Sequence, residues 1–287
     1  MERAWNTISR IYRFIRILSF DILAGVICGY TFASIILDSE CPSLTPVILG
    51  ATVWLIYTLD HLLDARARKE RSTRPAYRWH HNNRKVLWPV LLAGGLATAG
   101  LSLAFLPARI LIFGCLMGGL AVIYILVQHG KPGTRRMYLF KEGWVSIIYT
   151  AGIWGLPLLM TGTVPGIPVW LAIIIYCLLV LINVLIYSYH DHHTDEQESQ
   201  LTMATVAGKK TTAHLLRLLI LSVLMLIVVA FLILESTAMV KVYLILLGMT
   251  ILLGGILAFP VFFSKKDRYG ILADAVFFLP GLLAWIW

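Results

Sequence analysis

Long apolar stretches, separated by short polar ones, run the whole length of the chain. They fall at about 17–37, 44–63, 86–106, 109–128, 142–162, 165–189, 212–234, 239–263 and 270–287. A helix crossing the hydrocarbon of a bilayer needs about 20 residues. Each stretch is near that length, so the pattern predicts nine transmembrane helices. Several ends are marked by Pro107, Pro165, Pro168 and Gly270. No ten-residue alternation of apolar and polar positions occurs, which excludes a β-barrel, the other backbone arrangement viable in lipid. The expected architecture is all-α, one membrane-embedded domain over 1–287, with no internal repeat and no soluble second domain. The basic N-terminus and the apolar run behind it superficially resemble a signal peptide. That run is too long for an h-region and lacks a small-residue cleavage site, so it reads as a retained first span.

Composition agrees with this picture. Apolar residues make up 59% and charged residues 14%, against roughly 45–50% and 25% in soluble domains. With a mean hydropathy of +0.81, the chain is neither disordered nor a disulfide-stapled module. Cys28, Cys115 and Cys177 lie in apolar runs and Cys41 in a short loop, with no zinc motif among them.

A net charge of +9 would suit a nucleic-acid ligand, but its distribution points to a membrane instead. Basic residues cluster before the first span (Arg3, Arg10, Arg13, Arg16) and after the second (Arg66, Arg68, Lys69, Arg71, Arg74, Arg78, Arg84, Lys85). Further clusters follow the fourth span (Lys131, Arg135, Arg136, Lys141), the sixth (Lys209, Lys210, Arg217) and the eighth (Lys265, Lys266, Arg268). Only Arg109 and Lys241 fall on the other side. The positive-inside rule makes the heavy side cytoplasmic, with the N-terminus inside and the C-terminus outside. A multi-pass protein of a bacterial inner membrane is expected, in contact with lipid and with no nucleic-acid partner. Trp285 and Trp287 then sit where an outer aromatic belt belongs.

The acidic residues are few and placed in pairs. Asp60 and Asp64 end the second span; Asp191 and Asp195 end the sixth. Four-residue spacing puts both members of a pair on one helix face. Both pairs meet the negative end of a helix dipole, which disfavours each carboxylate by about 0.3–1 kcal/mol. One such pair is ordinarily a solvated helix end; two with the same spacing on the same side suggest bound cations. Facing each other, they suit magnesium, a hard cation that takes oxygen ligands from carboxylates and substrate phosphates. Guanidinium groups of the loop after the second span suit phosphate oxygens. Tyrosine faces stabilise a carbocation, and Tyr57, Tyr149 and Tyr187 are the candidates.

Histidines crowd both acidic segments: His61, His80 and His81 near one, His190, His192 and His193 at the other. They lack the spacing of histidine-box desaturases and read as interfacial neighbours of a phosphate site, where protonated His192 and His193 can contact diphosphate. Asp21 and Asp274 lie about one turn inside the first and ninth spans, facing a polar mouth or a loop arginine. Asn183, two turns before Asp191, either lines a cavity or bonds a neighbouring helix.

At these residues the chain resembles the UbiA superfamily of intramembrane prenyltransferases, a nine-helix bundle around a central cavity with two aspartate-rich motifs. Asp60 and Asp64 match the last two aspartates of its first motif, and Arg74-Pro75 matches the Arg-Pro that closes it. Tyr187, Asp191, Asp195, Ser199, Thr202 and Ala204 follow its second motif, and Lys141 to Gly152 is similar to its fifth-span segment. Ile56 and Tyr57 depart from the family's Asn-Asp pair, and Glu142 stands where many relatives are basic.

The resemblance implies magnesium-dependent transfer of a prenyl group from a prenyl diphosphate to an aromatic, quinone-precursor or other lipophilic acceptor. By that resemblance Asp60, Asp64, Asp191 and Asp195 are the metal-binding and catalytic set, and Arg66, Arg74, Lys141 and His192 bind diphosphate. Tyr57, Tyr149, Asn183 and Tyr187 line the substrate pocket. A terpene cyclase acting on the diphosphate alone and a non-catalytic membrane scaffold remain the alternatives.

Overall fold

The structure is a computed structural model, and it describes residues 14–68, 74–129, 140–234 and 236–287. Of the basic clusters, Arg3, Arg10, Arg13, Lys69, Arg71, Lys131, Arg135 and Arg136 lie outside the described residues.

No strand occurs among the described residues. The helices are α1 Phe20–Ile36, α2 Thr45–Arg68, α3 Pro75–Asn82, α4 Arg84–Phe105, α5 Ala108–His129, α6 Lys141–Met160 and α7 Ile167–His190. They continue as α8 His192–Gln197, α9 Met203–Ala207, α10 Lys209–Ile233, α11 Thr237–Ala258, α12 Pro260–Ser264, α13 Arg268–Ala275 and α14 Leu283–Ile286. A 3₁₀ segment, Val276–Leu282, joins the last two into one stretch.

Among the described residues, eight helical stretches are long and apolar enough to cross a membrane. They coincide with the second to ninth predicted spans. The predicted first span is shorter than expected: α1 has 17 residues, about 25 Å at 1.5 Å per residue. The reason is local. Ser19 adopts a positive φ of 57°, which breaks the helical path so that α1 begins at Phe20. The carbonyl exposed by the break, Leu18 O, accepts a hydrogen bond from Trp54 Nε1 at 2.9 Å.

The chain divides into two compact units, one of residues 1–27 and 42–111, the other of 28–41 and 112–287. In the first, α2 packs on α4 and on the short α3. Phe20 stacks on Trp54 with ring centres 6.2 Å apart, and Phe14 meets Trp79 edge-on at 6.0 Å. Outward from this unit α4 carries an apolar face of Leu92, Leu96 and Leu103, all well exposed, as a lipid-facing helix does.

In the second unit α7 is the central helix, packed on α6, α10, α11 and α13. Ile175, Leu179, Ile182 and Ile186 are buried at helical spacing, and Tyr176 and Leu185 are buried beside them. A helix covered on several sides is apolar all round, which is why α7 shows little amphipathic contrast in sequence. The face of α11 formed by Leu246, Met249, Leu253 and Ile256 is likewise buried.

Candidate functional site

In the first unit, Asp60 and Asp64 lie one turn apart on α2, Asp60 half-buried and Asp64 almost fully enclosed. Between them His61 sits among aromatic rings: Tyr57 at 6.5 Å, Tyr77 at 5.8 Å and His80 at 4.9 Å. His80, on α3, is buried, and its Nδ1–H donates to Ala76 O at 2.8 Å. Burial holds this imidazole below its usual pKa of 6.5, the backbone bond opposing only in part. Arg74 caps the start of α3 and lies 5.7 Å from the centre of the Tyr77 ring. Arg66, exposed at the end of α2, borders a cavity of about 290 Å³ together with Leu62, His80, His81, Arg84 and Trp88. Two guanidinium groups and two imidazoles thus stand at one end of this unit, beside the first aspartate pair.

In the second unit, Asp191 ends α7, its N–H donating to Tyr187 O at 2.8 Å. Asp195 lies in α8, and its N–H donates to Asp191 O at 2.8 Å. That bond keeps the two carboxylates one turn apart although the regular helix breaks at residue 191. Asp195 is enclosed, while Asp191 is half-buried. Tyr269, on α13, donates its hydroxyl proton to Asp191 Oδ1. Tyr187 in turn donates to Asp274 Oδ2 at 2.5 Å and lies 3.2 Å from Gly270 O. Asp274 therefore meets a tyrosine of α7. The other intramembrane carboxylate, Asp21, lies 3.7 Å from Arg16 in the first unit.

Lys141 and Glu142 open α6. Lys141 is half-buried, whereas Glu142 is enclosed, and its Oε1 accepts from the Met203 backbone N–H at 2.7 Å. The adjacent Ala204 N–H donates to Ser188 Oγ at 2.9 Å. These two acceptors satisfy donors that the first turn of α9 leaves open. The start of α9 is thereby tied to α6 through Glu142 and to α7 through Ser188. His192 is half-buried, with Nε2 3.6 Å from exposed Glu196.

Deeper in the same unit a line of rings runs Tyr149, Phe277, Tyr176, Trp154, Phe32, with neighbouring centres 5.8–6.2 Å apart. Asn183 is half-buried on α7, and its Oδ1 is enclosed with no hydrogen-bond partner.

Sequence reasoning named Tyr149 in this line and none of the other four, and it passed over Tyr269 and Ser188. A signal for Tyr269 was present. Tyr269 precedes Asp274 by five residues, much as Tyr187 precedes Asp191 by four. Its pairing across 78 residues, however, is a tertiary fact.

Among the described residues, no group of three or more His, Cys, Asp or Glu side chains is placed to hold a metal in either unit. Each unit instead offers a pair of carboxylates. Oxygen-only donors of this kind fit magnesium, which keeps several waters and completes its shell with phosphate oxygens.

No protein-family profile matches the chain, and no curated protein does. Two solved structures share its fold. One is a UbiA homologue from Archaeoglobus fulgidus bound to GPP and Mg2+, with TM-score 0.62 and 13% identity, covering 94% of this chain and 98% of that one. The other is a UbiA homologue from the same organism bound to DMAPP and Mg2+, with TM-score 0.59 and 15% identity, covering 96% and 99%. The chain is thus an all-α polytopic membrane protein with the UbiA helical fold along nearly its whole length.

Proposed function

We propose that the chain is a magnesium-dependent prenyltransferase of the UbiA superfamily, working as one membrane-embedded domain over 1–287. It moves a prenyl group from a prenyl diphosphate to a lipophilic acceptor, an aromatic ring or quinone precursor within the membrane. The observation that carries this reading is the Asp191–Asp195 pair, held one turn apart at the end of α7 by the Asp195 N–H bond to Asp191 O. Its support is the fold, shared along 94% and 96% of the chain with proteins solved with prenyl diphosphates and Mg2+.

Asp60, Asp64, Asp191 and Asp195 are the residues that would hold magnesium. Bound there, the ion supplies neutralising charge for the departing diphosphate. Arg66, Arg74, Lys141 and His192 take the phosphate oxygens. The allylic carbon–oxygen bond breaks with its electron pair leaving on diphosphate. A carbon–carbon bond forms to the acceptor, and the acceptor gives up a proton. Tyr57, Tyr149, Asn183 and Tyr187 line the pocket. Beyond Tyr149, the rings of Phe277, Tyr176 and Trp154 exclude water and offer π faces to developing positive charge. The head-group end lies on the cytoplasmic side of a bacterial inner membrane, with the N-terminus inside and the C-terminus outside, as the basic residues require.

The test uses the purified protein with geranyl or farnesyl diphosphate, magnesium and a panel of aromatic acceptors. Diphosphate release is expected, and D191A is expected to abolish it. No release with every acceptor, or release unchanged in D191A, would overturn the reading.

A further inference from the structure

We infer that Tyr269 is a positioning residue for Asp191, so that the C-terminal span is part of the metal-binding end of the molecule. The inference deepens the prenyltransferase reading and rests on it.

The geometry is reciprocal. Helix α7 carries Tyr187, with Asp191 at its C-terminal cap, and α13 carries Tyr269 and Asp274. Tyr187 donates to Asp274 Oδ2, and Tyr269 donates to Asp191 Oδ1. Each helix gives a tyrosine to the other's carboxylate. The two phenol rings meet edge to face at 5.7 Å. The His190 ring stacks parallel on that of Tyr269, with centres 4.4 Å apart, and His190 Nδ1 lies 3.0 Å from Ser264 Oγ. Tyr269 is buried, and these two ring contacts hold its ring in place.

A carboxylate at a helix end turns freely about its last bond unless something fixes it. Tyr269 fixes Asp191 through one oxygen and so sets the direction from which a cation is met. Ligating carboxylates are commonly hydrogen-bonded by such an outer partner, and losing it costs about 10–100-fold in metal affinity or activity.

The experiment reads metal binding directly. Mn2+ stands in for magnesium and is counted by electron paramagnetic resonance on the full-length protein in nanodiscs, with inorganic pyrophosphate present. Y269F is expected to weaken Mn2+ binding about tenfold, the low end of the outer-partner range. Its apparent melting temperature is expected to fall by several degrees, the size of one lost hydrogen bond to a charged group in a chain of this length. Placed on a D191N background, Y269F is expected to change Mn2+ binding no further, because the two act through one oxygen. Y187F, which opens the other half of the clasp, is read beside it and is expected to weaken binding by a smaller factor. A folded Y269F, or a folded Y187F should Y269F not purify, that binds Mn2+ as the parent does while D191N binds it poorly overturns the inference and leaves the prenyltransferase reading standing. Mn2+ binding unchanged in D191N removes that reading itself, and the inference with it.

Discussion

Glu142 accepts a hydrogen bond from the backbone N–H of Met203, 61 residues further along the chain. In sequence Glu142 is one of 15 acidic residues in a chain with 24 basic ones. In the fold it is the acceptor at the start of α9, where a carboxylate also meets the positive end of a helix. Removing the acceptor leaves a partly buried N–H open, and hydrogen bonds to charged groups are worth about 1.5–3 kcal/mol. E142A is expected to lower the apparent melting temperature by several degrees, and E142Q, which keeps an acceptor, by less. E142K is expected to do worst, since it brings a second donor to a donor. Melting curves of the three variants in detergent decide this.

The two aspartate pairs are expected to act as one. Diphosphate release should fall in D60N and in D191N by more than the roughly 10–100-fold loss of an outer partner. The double variant should cost little beyond either single, as for residues that function as a unit. Rates that multiply in the double variant would mean two independent roles. Removal of divalent cations with a chelator should match the single variants, and added magnesium should restore only the parent.

His80 gives the fold a pH dependence of definite sign. Its imidazole is held below 6.5 in the folded protein by burial, so the unfolded chain binds the proton more readily. Stability is therefore present above the unfolded pKa and is lost as pH falls through about 6.5 towards the lower folded value. The apparent melting temperature is expected to drop between pH 7.5 and 5.5 more steeply in the parent than in H80Q, which has no group to titrate there. Equal slopes would contradict it.

Gly29 is required by its neighbour. A Cβ placed there meets the Tyr176 hydroxyl, and Tyr176 is fully buried, so its ring has nowhere to withdraw. G29A is expected to destabilise by about 1–3 kcal/mol, the usual cost of overpacking a core. Y176F, which removes the oxygen in the way, should recover part of that loss in the double variant, measured by thermal melting.

Much of the fold was legible in the sequence, because a bilayer allows few solutions. Apolar runs of span length announce helices wherever they occur, and eight of the nine stretches appear at close to their predicted limits. The exception turns on Ser19: nothing in a serine between Leu18 and Phe20 announces its positive φ. The site divides in the same way. Asp60 and Asp64, or Asp191 and Asp195, show themselves because four-residue spacing is a local property. Tyr269 and Phe277 do not, since their partners lie on helices far away in sequence and aromatic residues are common in any apolar span. Glu142 was visible only as an oddity, for its partner is a backbone group, which no composition or motif marks.

The clasp between α7 and α13 joins residues 78 and 87 apart in the chain. A ribosome delivers the chain from its N-terminus, so α7 is made and inserted well before α13 exists to meet it. Until then Asp191 and Tyr187 have neither of their tyrosine–aspartate bonds. A product truncated before residue 269 would hold all four of the paired aspartates, yet lack both bonds that clasp α7; the setting of Asp191 thus waits for a helix made long after its own.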